Sequence, residues 1–116
     1  MKTSSCKAKG RSLQNFVRDS FRNMFKITLE DGDIESRQMG GTGTDIILSP
    51  SAKKLIPFDC ECKNQEKLNI WKAIEQAESN SEEGRIPLLI FKKNNIDVYV
   101  SLSFENFIKL IEKEIK

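Results

Sequence analysis

The sequence predicts an α/β protein in which helices flank a mixed five-stranded sheet. Residues 10–26, residues 69–79 and the residues after Ser103 carry apolar side chains at spacings of three and four, which is typical of amphipathic helices. The shorter segments between them are rich in β-branched and aromatic residues or alternate apolar with charged positions, which indicates strands. Helix, three strands, helix, two strands, helix is the order of an α/β sandwich around a mixed sheet.

Local sequence signals indicate where these elements begin and end. Ser12, Asn69 and Ser103 are candidate N-caps, because their side-chain oxygens can accept hydrogen bonds from a first helical turn. Turns are expected where small and polar residues cluster, at residues 30–33, 49–54 and 92–95. Strands are expected at residues 34–37, 45–48, 58–63, 86–91 and 97–102.

The size of the chain, 116 residues, predicts one domain with one core. Residues 1–9 are small, polar and basic and are expected to form a flexible basic arm, and residues 10–116 to form the domain. No apolar run approaches the ~20 residues of a membrane helix, and no apolar stretch follows the basic start. We therefore expect no membrane contact, no signal peptide and a cytoplasmic location.

Charge is unevenly distributed along the chain. Residues 1–26 carry seven basic groups and one acidic group, whereas the other ninety residues carry twelve basic and sixteen acidic groups. A basic first helix on a mildly acidic body suits a polyanion such as DNA. The alternative is a solvated helix face that binds nothing.

Composition excludes several kinds of active site. The chain has no histidine, so Ser-His-Asp, Cys-His and histidine-ligated zinc sites are excluded. A zinc site would need Cys6, Cys60 and Cys62 together with a carboxylate, and the three cysteines indicate no disulfide framework. The Gly-rich residues 40–44 match neither a Walker A nor a dinucleotide-binding pattern. They form either a loop whose backbone approaches a phosphate or a hairpin connection.

The candidate site lies on two neighbouring strands. Side chains of a strand alternate between faces, so Asp59, Glu61 and Lys63 share one face. If Asp45, at the start of the preceding strand, lies alongside Glu61, two carboxylates and an ammonium meet. That is the minimum needed to hold a divalent cation and activate a water beside a phosphate. If Asp45 and Glu61 were instead a glycosidase-type carboxylate pair, Lys63 would have no role. If Glu61 and Lys63 were only a charged pair on the surface of a strand, Asp45 would have no role.

This pattern resembles the D…(D/E)xK motif of the PD-(D/E)xK nuclease superfamily. Asp45 is followed, after fifteen residues, by Glu61-Cys62-Lys63. The start of the first helix and the strand pair after the second helix are also similar to small archaeal Holliday-junction resolvases. Many resolvase-like members of this superfamily are encoded by phages. The resemblance implies a restriction-endonuclease-like core.

The resemblance also implies a role for each residue. Asp45 and Glu61 would ligate Mg²⁺ or Mn²⁺ with the backbone carbonyl of Cys62, and a metal-bound water would be the nucleophile. Lys63 would orient that water or stabilise the added negative charge, and the cleaved strand would keep a 5′-phosphate. No small-molecule cofactor is expected.

Gln14 departs from the resolvase pattern, which commonly has a glutamate near the metal at this position of the first helix. Its amide can still hold a metal-bound water, so Gln14 is counted with the catalytic residues, but it lacks the charge that attracts a cation. Glu35 is an alternative source of that charge. The residues expected to contact DNA are Lys7, Lys9, Arg11, Arg37, Thr42, Gln65 and Lys67.

The sequence therefore predicts a metal-dependent DNA endonuclease that acts on branched DNA, as a Holliday-junction resolvase does. Cutting two strands of a four-way junction needs two active sites, so a two-fold homodimer is expected. The alternatives are a nicking or site-specific endonuclease of the same fold, and a non-catalytic DNA-binding module, which Gln14 favours. The location would be the host cytoplasm if the source is viral.

Overall fold

The computed structural model describes residues 2–38 and 40–115, and in those ranges it shows a mixed α/β fold. The elements in chain order are α1 (Lys2–Met24), a 3₁₀ turn (Asp31–Asp33), β1 (Ile34–Ser36), β2 (Ile46–Leu48), α2 (Pro50–Leu55), β3 (Phe58–Asn64), α3 (Ile70–Asn80), β4 (Ile86–Lys92), β5 (Tyr99–Ser101) and α4 (Phe104–Ile115). None of these helices is long and apolar enough to cross a membrane.

The five strands form two sheets, so the predicted single five-stranded sheet is wrong. β1 and β2 pair antiparallel as a ribbon, whereas β3 pairs parallel with β4, and β4 pairs antiparallel with β5. A backbone hydrogen bond from Asp45 N to Cys60 O (2.9 Å) joins the ribbon to β3. Beyond that bond β2 leads into α2, which turns the chain away before a second ladder forms.

Helix α1 begins at Lys2, eight residues before its predicted start at Gly10, so Ser12 lies inside it and is not its N-cap. The preceding residues include lysine and alanine, which favour helix, and no proline, so the helix continues through Gly10 at a cost of about 1 kcal/mol. The predicted helix start is therefore wrong, and the flexibility of residues 1–9 stays a prediction.

Residues 49–54 were expected to form a turn but contain the short helix α2. The hydroxyl of Ser49 accepts a hydrogen bond from Ala52 N (3.1 Å), and Pro50 occupies the first helical turn, where its missing N–H costs nothing. The predicted caps Asn69 and Ser103 are confirmed, since each accepts a hydrogen bond 3.1 Å long from the first turn of its helix.

Helices cover both faces of the β3–β4–β5 sheet. The face against α1 and the ribbon holds the main core, and Leu89 points to the other face, where Ala73 and Ala77 of α3 are buried. Members of the main core are Leu13, Val17, Ile34, Ile46, Leu48, Ala52, Ile56, Cys60, Cys62, Leu88 and Ile90. The edge of β3 that faces the ribbon lies between these layers, and the candidate site is there.

Candidate active site

Asp45 is fixed where the two sheets meet. It precedes β2, at the end of the Gly-rich loop, and its N–H donates to the carbonyl of Cys60. Its carboxylate oxygen Oδ2 accepts a hydrogen bond from the N–H of Cys62 (2.7 Å). The half-buried carboxylate therefore lies against the edge of β3 that faces the ribbon.

Glu61 and Lys63 lie next to Asp45 on β3. Glu61 is only 4% exposed. Its Oε2 atom is 3.7 Å from the Nζ atom of Lys63, and its Oε1 atom accepts a hydrogen bond from Nδ2 of Asn80 (3.2 Å), the last residue of α3. The strand and the end of α3 together hold the Glu61 carboxylate in one orientation.

Both carboxyl groups are more difficult to ionise than in water. Burial raises the pKa of Asp45, against the lowering effects of the Cys62 N–H and the charges of Lys63 and Arg37. Burial also raises the pKa of Glu61, and the negative charge of Asp45 adds to that rise, while Asn80 and Lys63 oppose it. A buried and a half-buried carboxylate that are incompletely neutralised favour a bound cation.

Gln14 comes to this place from α1. It is 6% exposed, and its amide lies near enough to lower the pKa of Asp45. Its oxygen Oε1 is buried, and in the described part of the chain it has no hydrogen-bond partner. Since an unpaired buried acceptor costs about 1–3 kcal/mol, this oxygen indicates a missing donor or cation.

The available donors fit a hard divalent cation. The N–H and C=O of a strand residue face the same neighbour, so the Cys62 carbonyl points to the Asp45 side of β3. The oxygens around the site are thus two carboxylates, one backbone carbonyl and the Gln14 amide. This set suits Mg²⁺ or Mn²⁺, which prefer oxygen and keep several waters.

The zinc alternative does not fit. Across residues 2–38 and 40–115, no three His, Cys, Asp or Glu side chains converge as a metal-binding group. Cys6 is exposed on α1, whereas Cys60 and Cys62 are buried in the core. Burial raises the pKa of Cys60 to about 12 and raises that of Cys62 further, so both thiols stay protonated and are poor zinc ligands.

Arg37 links the Gly-rich loop to the site. Its Nε donates to the carbonyl of Thr44 (2.6 Å), and its guanidinium packs against Gly43, whose φ is +103°. A Cβ at Gly43 would lie 3.0 Å from Nη2 of Arg37. Arg37 and Thr44 also line a cavity of about 230 Å³ that reaches Asn80. The loop therefore holds the Arg37 guanidinium near Asp45, whose pKa its charge lowers. Thr42 is exposed on the same loop.

The other residues expected to contact DNA lie on the surface. Lys7 and Arg11 are exposed on α1, and Gln65 and Lys67 are exposed after β3. Lys9 is half-buried, and its carbonyl accepts a hydrogen bond from Nδ2 of Asn64 (3.1 Å), the last residue of β3. That bond brings the basic half of α1 to the same end of β3 as Lys63.

Glu35 does not supply the charge that Gln14 lacks. It lies in β1 opposite Ile47, is exposed, and stands on the side away from the buried neighbour Ile34. Its negative charge acts on Arg18, whose pKa it helps to raise, and it does not contribute to the pKa shifts of Asp45 or Glu61.

Sequence reasoning missed two partners of β3. Asp59, predicted on the face of Glu61 and Lys63, binds Arg85 (2.7 Å), the Ser81 hydroxyl (3.0 Å) and the Glu82 N–H (2.9 Å), so it is a structural anchor. Asn80 was missed as the partner of Glu61. Nothing in its local sequence distinguishes Asn80 from a polar residue at any helix end.

Comparison with protein-family models matches residues 5–116 to the family described as "Phage putative PDDEXK endonuclease". Neither the comparison with curated proteins nor the comparison with solved structures finds a match. The match covers nearly the whole chain and includes Asp45, Glu61 and Lys63. The chain therefore belongs to the phage PDDEXK endonuclease family, within the PD-(D/E)xK nuclease superfamily.

Proposed function

We propose that the protein is a Mg²⁺- or Mn²⁺-dependent endonuclease that hydrolyses phosphodiester bonds of branched DNA. The observation that carries the proposal is the convergence of Asp45, Glu61 and Lys63 beside the unpaired oxygen of Gln14. Family membership supports a nuclease in general. The metal, the residue roles and the branched substrate are the steps beyond it.

The carboxylates of Asp45 and Glu61 and the carbonyl of Cys62 would hold the metal. When bound, a divalent cation supplies positive charge at the phosphate and lowers the pKa of a bound water. The Cys62 N–H keeps one Asp45 oxygen in place, and Asn80 does the same for Glu61. Oδ1 of Asp45 and Oε2 of Glu61 would then be the carboxylate oxygens that face the metal.

Lys63 and Gln14 would act on the water and the phosphate. The Lys63 ammonium, near Glu61, is placed to orient the attacking water and to stabilise negative charge on the phosphoryl oxygens. The Gln14 oxygen would accept a hydrogen bond from a water in the site, which would satisfy this otherwise unpaired acceptor. Attack on phosphorus and departure of the 3′-oxygen leave a 5′-phosphate and a 3′-hydroxyl.

Positive groups around the site suit the DNA backbone. Arg37 lies beside Asp45, and the basic half of α1 reaches the end of β3 through the bond between Lys9 and Asn64. Phosphate contacts from such groups position DNA without reading its sequence. A substrate recognised by shape, such as a four-way junction, fits this pattern, and a two-fold dimer would supply the second active site.

The test is cleavage of a labelled four-way junction with Mg²⁺ or Mn²⁺, beside duplex and single-stranded DNA of the same sequences. We expect cutting of the junction, with 5′-phosphate ends. Asp45→Asn, Glu61→Gln and Lys63→Met should abolish cutting while DNA binding persists. Glu35→Gln is the matched control, since it removes an exposed carboxylate away from the site and should cut at the wild-type rate.

Other results of this experiment would each support a different function or a different site. Equal cutting of duplex and junction would favour a nicking or site-specific endonuclease of the same fold. Binding without cutting of any DNA would favour a non-catalytic module, for which the uncharged Gln14 is the structural argument. Normal cutting by Asp45→Asn would show that the proposed site is wrong.

A further inference from the structure

A row of side chains leads from the candidate site across the β3–β4–β5 sheet. Phe91 of β4 lies opposite Lys63 of β3, and Tyr99 of β5 lies opposite Phe91. Residues opposite each other on neighbouring strands point to the same face of a sheet. Since neighbouring strands are ~4.8 Å apart, the backbone of Tyr99 is roughly 10 Å from that of Lys63. A nucleotide with its phosphate at Lys63 can therefore have a base near these two rings.

The two rings line a cavity at the end of this row. The ring centroids of Phe91 and Tyr99 are 6.4 Å apart, and the ring planes are inclined at 34°. Leu68 and Ile70, at the start of α3, and Ile96, between β4 and β5, add to the apolar lining of this cavity of about 230 Å³. We call it the aromatic pocket. Pockets for drug-sized ligands have volumes of roughly 300–1,000 Å³, so the aromatic pocket suits a smaller group.

The aromatic pair takes no part in the main core. In the described ranges of the chain, Phe91 and Tyr99 belong neither to that core nor to the side chains packed against it. Tyr99, the single tyrosine of the sequence, is 56% exposed. An exposed ring on a strand, beside a second ring, offers a flat surface on which another ring can stack.

Two hydrogen bonds hold the segments around the aromatic pocket in place. The N–H of Asn94 donates to Oε2 of Glu66 (2.6 Å), which ties the loop between β4 and β5 to the segment after β3. The N–H of Gln65 donates to the carbonyl of Lys92 (3.2 Å). The pocket is therefore formed without a ligand, which lowers the conformational cost of binding one.

The charges around the aromatic pocket suit an anionic ligand. Lys92 and Lys93 line it, and the carboxylate among the described lining residues, that of Glu66, is already engaged by a backbone N–H. Lys67 and Asp97, next to lining residues, are exposed and offset each other. Aromatic rings with lysines beside them are the combination that binds single-stranded nucleic acid. An apolar protein segment would have no use for these cations.

We propose that the aromatic pocket binds one unpaired nucleobase of the DNA substrate, stacked on Tyr99, while Lys92 and Lys93 contact neighbouring phosphates. The exposed amide of Gln65, which also lines the pocket, can bond to the edge of the base. The proposal rests on the proposed function, because it names the part of a branched substrate that is recognised: a base without a partner at the branch. A base inside a duplex has both ring faces covered and cannot enter.

The first experiment measures DNA binding in EDTA, where no metal-dependent cutting takes place. Three duplexes of one sequence are compared: fully paired, with one extra thymine nucleotide, and with the same extra nucleotide lacking its base. The wild-type chain should bind the duplex with the extra thymine about tenfold more tightly than the abasic duplex. These two duplexes have the same phosphates and the same interruption of the helix, so the ratio of their Kd values reports contact with the base.

Three variants relate this preference to the ring of Tyr99. Tyr99→Leu should remove it, because leucine is apolar but has no flat face, whereas Tyr99→Phe keeps the ring and should keep the preference. Phe104→Leu is the matched control and should bind as the wild type does. Phe104 is 75% exposed, and because β5 runs antiparallel to β4, it lies towards the opposite end of the sheet. Circular dichroism checks that all variants fold.

The second experiment identifies the side chain that stacks on the base. The extra thymine is replaced by 5-iodouracil, which joins covalently to a stacked aromatic ring on irradiation. Mass spectrometry of the peptides should find the crosslink at Tyr99 in the wild-type chain. Tyr99→Leu should lose this crosslink.

Three results would overturn the proposal. Equal binding of the thymine and abasic duplexes by the wild-type chain would leave the aromatic pocket to an apolar protein segment. An unchanged preference in Tyr99→Leu, or a crosslink at Trp71 or Phe104 in place of Tyr99, would show that the base does not stack there. Both experiments are independent of cutting, so a failure to cleave junctions would not alter their results. A chain that cuts DNA without preferring the extra base would contradict this proposal alone.

Discussion

At the scale of single residues, the Asp45 and Glu61 carboxylates destabilise the metal-free protein. Burial raises the pKa of both, and the charge of Asp45 raises that of Glu61 further. A carboxyl whose pKa is higher in the folded state stabilises the fold below its unfolded pKa, and this contribution is lost as pH rises through the folded pKa. At neutral pH both groups therefore favour unfolding, and a bound cation would offset that effect.

Asp45→Asn should stabilise the metal-free protein, and increasingly so as pH rises. The amide keeps an acceptor for the Cys62 N–H and removes the charge that acts on Glu61. We expect its melting temperature to exceed that of the wild type by a margin that grows between about pH 4 and about pH 8. Calorimetry in EDTA measures this margin, and one independent of pH would contradict the shifted pKa values.

The stabilisation by Mn²⁺ should also grow as pH rises. Protonated carboxylates do not bind cations, so the rise in melting temperature that Mn²⁺ causes in the wild type should shrink as pH falls through the raised pKa values of Asp45 and Glu61. Asp45→Asn should lose most of this rise at every pH. An equal rise in both proteins would place the cation elsewhere.

Asn80 holds Glu61 by a hydrogen bond to Oε1, and we expect it to affect cleavage through this contact. Asn80→Ala removes the hydrogen bond to Oε1, which lowers the pKa of Glu61, so that pKa should rise further. We expect cleavage to fall about 10–100-fold at neutral pH and its acidic limb to move to higher pH. Rate profiles against pH measure both effects. Asn23→Ala, at an exposed position of α1, is the control; a rate loss without movement of the limb would indicate a purely structural role.

At the scale of elements, Arg85 joins the start of β3 to α2 and β4. Its guanidinium binds the buried Asp59 (2.7 Å) and donates to the carbonyls of Ile56 (2.6 Å) and Phe58 (3.0 Å). Only 13% of the Arg85 side chain and 6% of the Asp59 side chain are exposed. This contact holds the first residues of β3, and through them it sets the position of Glu61.

Arg85→Met should destabilise the fold by about 3–5 kcal/mol, because it leaves the Asp59 carboxylate buried without its partner. Urea denaturation measures the change. Arg18→Met is the matched control, since Arg18 forms an ion pair of similar length with Asp19 (2.8 Å) at the surface. That change should cost no more than about 1 kcal/mol. Similar losses in the two variants would contradict the importance of burial.

Substitutions at two glycines of the loop before β2 distinguish the effect of backbone strain from the effect of contact with Arg37. Gly40 and Gly43 both have positive φ, +88° and +103°, but only at Gly43 would a Cβ meet Arg37. Each change to Ala should cost about 1–2 kcal/mol of stability. Only Gly43→Ala should also reduce cleavage, because it displaces the guanidinium beside Asp45. Equal cleavage by both variants would contradict a role for Arg37 in the site.

At the scale of the whole molecule, positive charge collects on α1. Helix α1 carries six basic groups and one acidic group, a sum of +5, on an elongated body of 49 × 31 × 26 Å, and residues 27–116 sum to −4. The bond between Lys9 and Asn64 brings this helix to the end of β3. We therefore expect bound DNA to cross from α1 to the carboxylates of Asp45 and Glu61.

Lys7→Gln with Arg11→Gln should weaken binding to all DNA forms alike. Each lost phosphate contact reduces the slope of log K against log salt by roughly 0.9, so the slope should fall by about 2. Lys54→Gln with Lys72→Gln, at exposed positions of α2 and α3, removes the same net charge and should leave the slope nearly unchanged. Equal slopes in the two double variants would mean that net charge alone attracts DNA.

The sequence by itself determined the type of nearly every element, two of the three helix caps, and the spacing that puts Asp45, Glu61 and Lys63 within reach of one another. These features are local, because side-chain periodicity and capping depend on residues a few positions apart. The spacing of Asp45, Glu61 and Lys63 also depends only on β2 and β3, which follow one another in the chain.

Only the tertiary structure decided the division into two sheets, the pairing of Asn80 with Glu61 and of Arg85 with Asp59, and the exposure of the apolar side of α4, which consists of Phe104, Phe107, Ile108 and Ile111. Glu61 and Asn80 are 19 residues apart, and Asp59 and Arg85 are 26 apart. Such contacts form only when α3 and the turn before β4 pack against β3. A helix shows in its sequence which side is apolar, but the side it turns to the domain depends on the shape of the surface it meets.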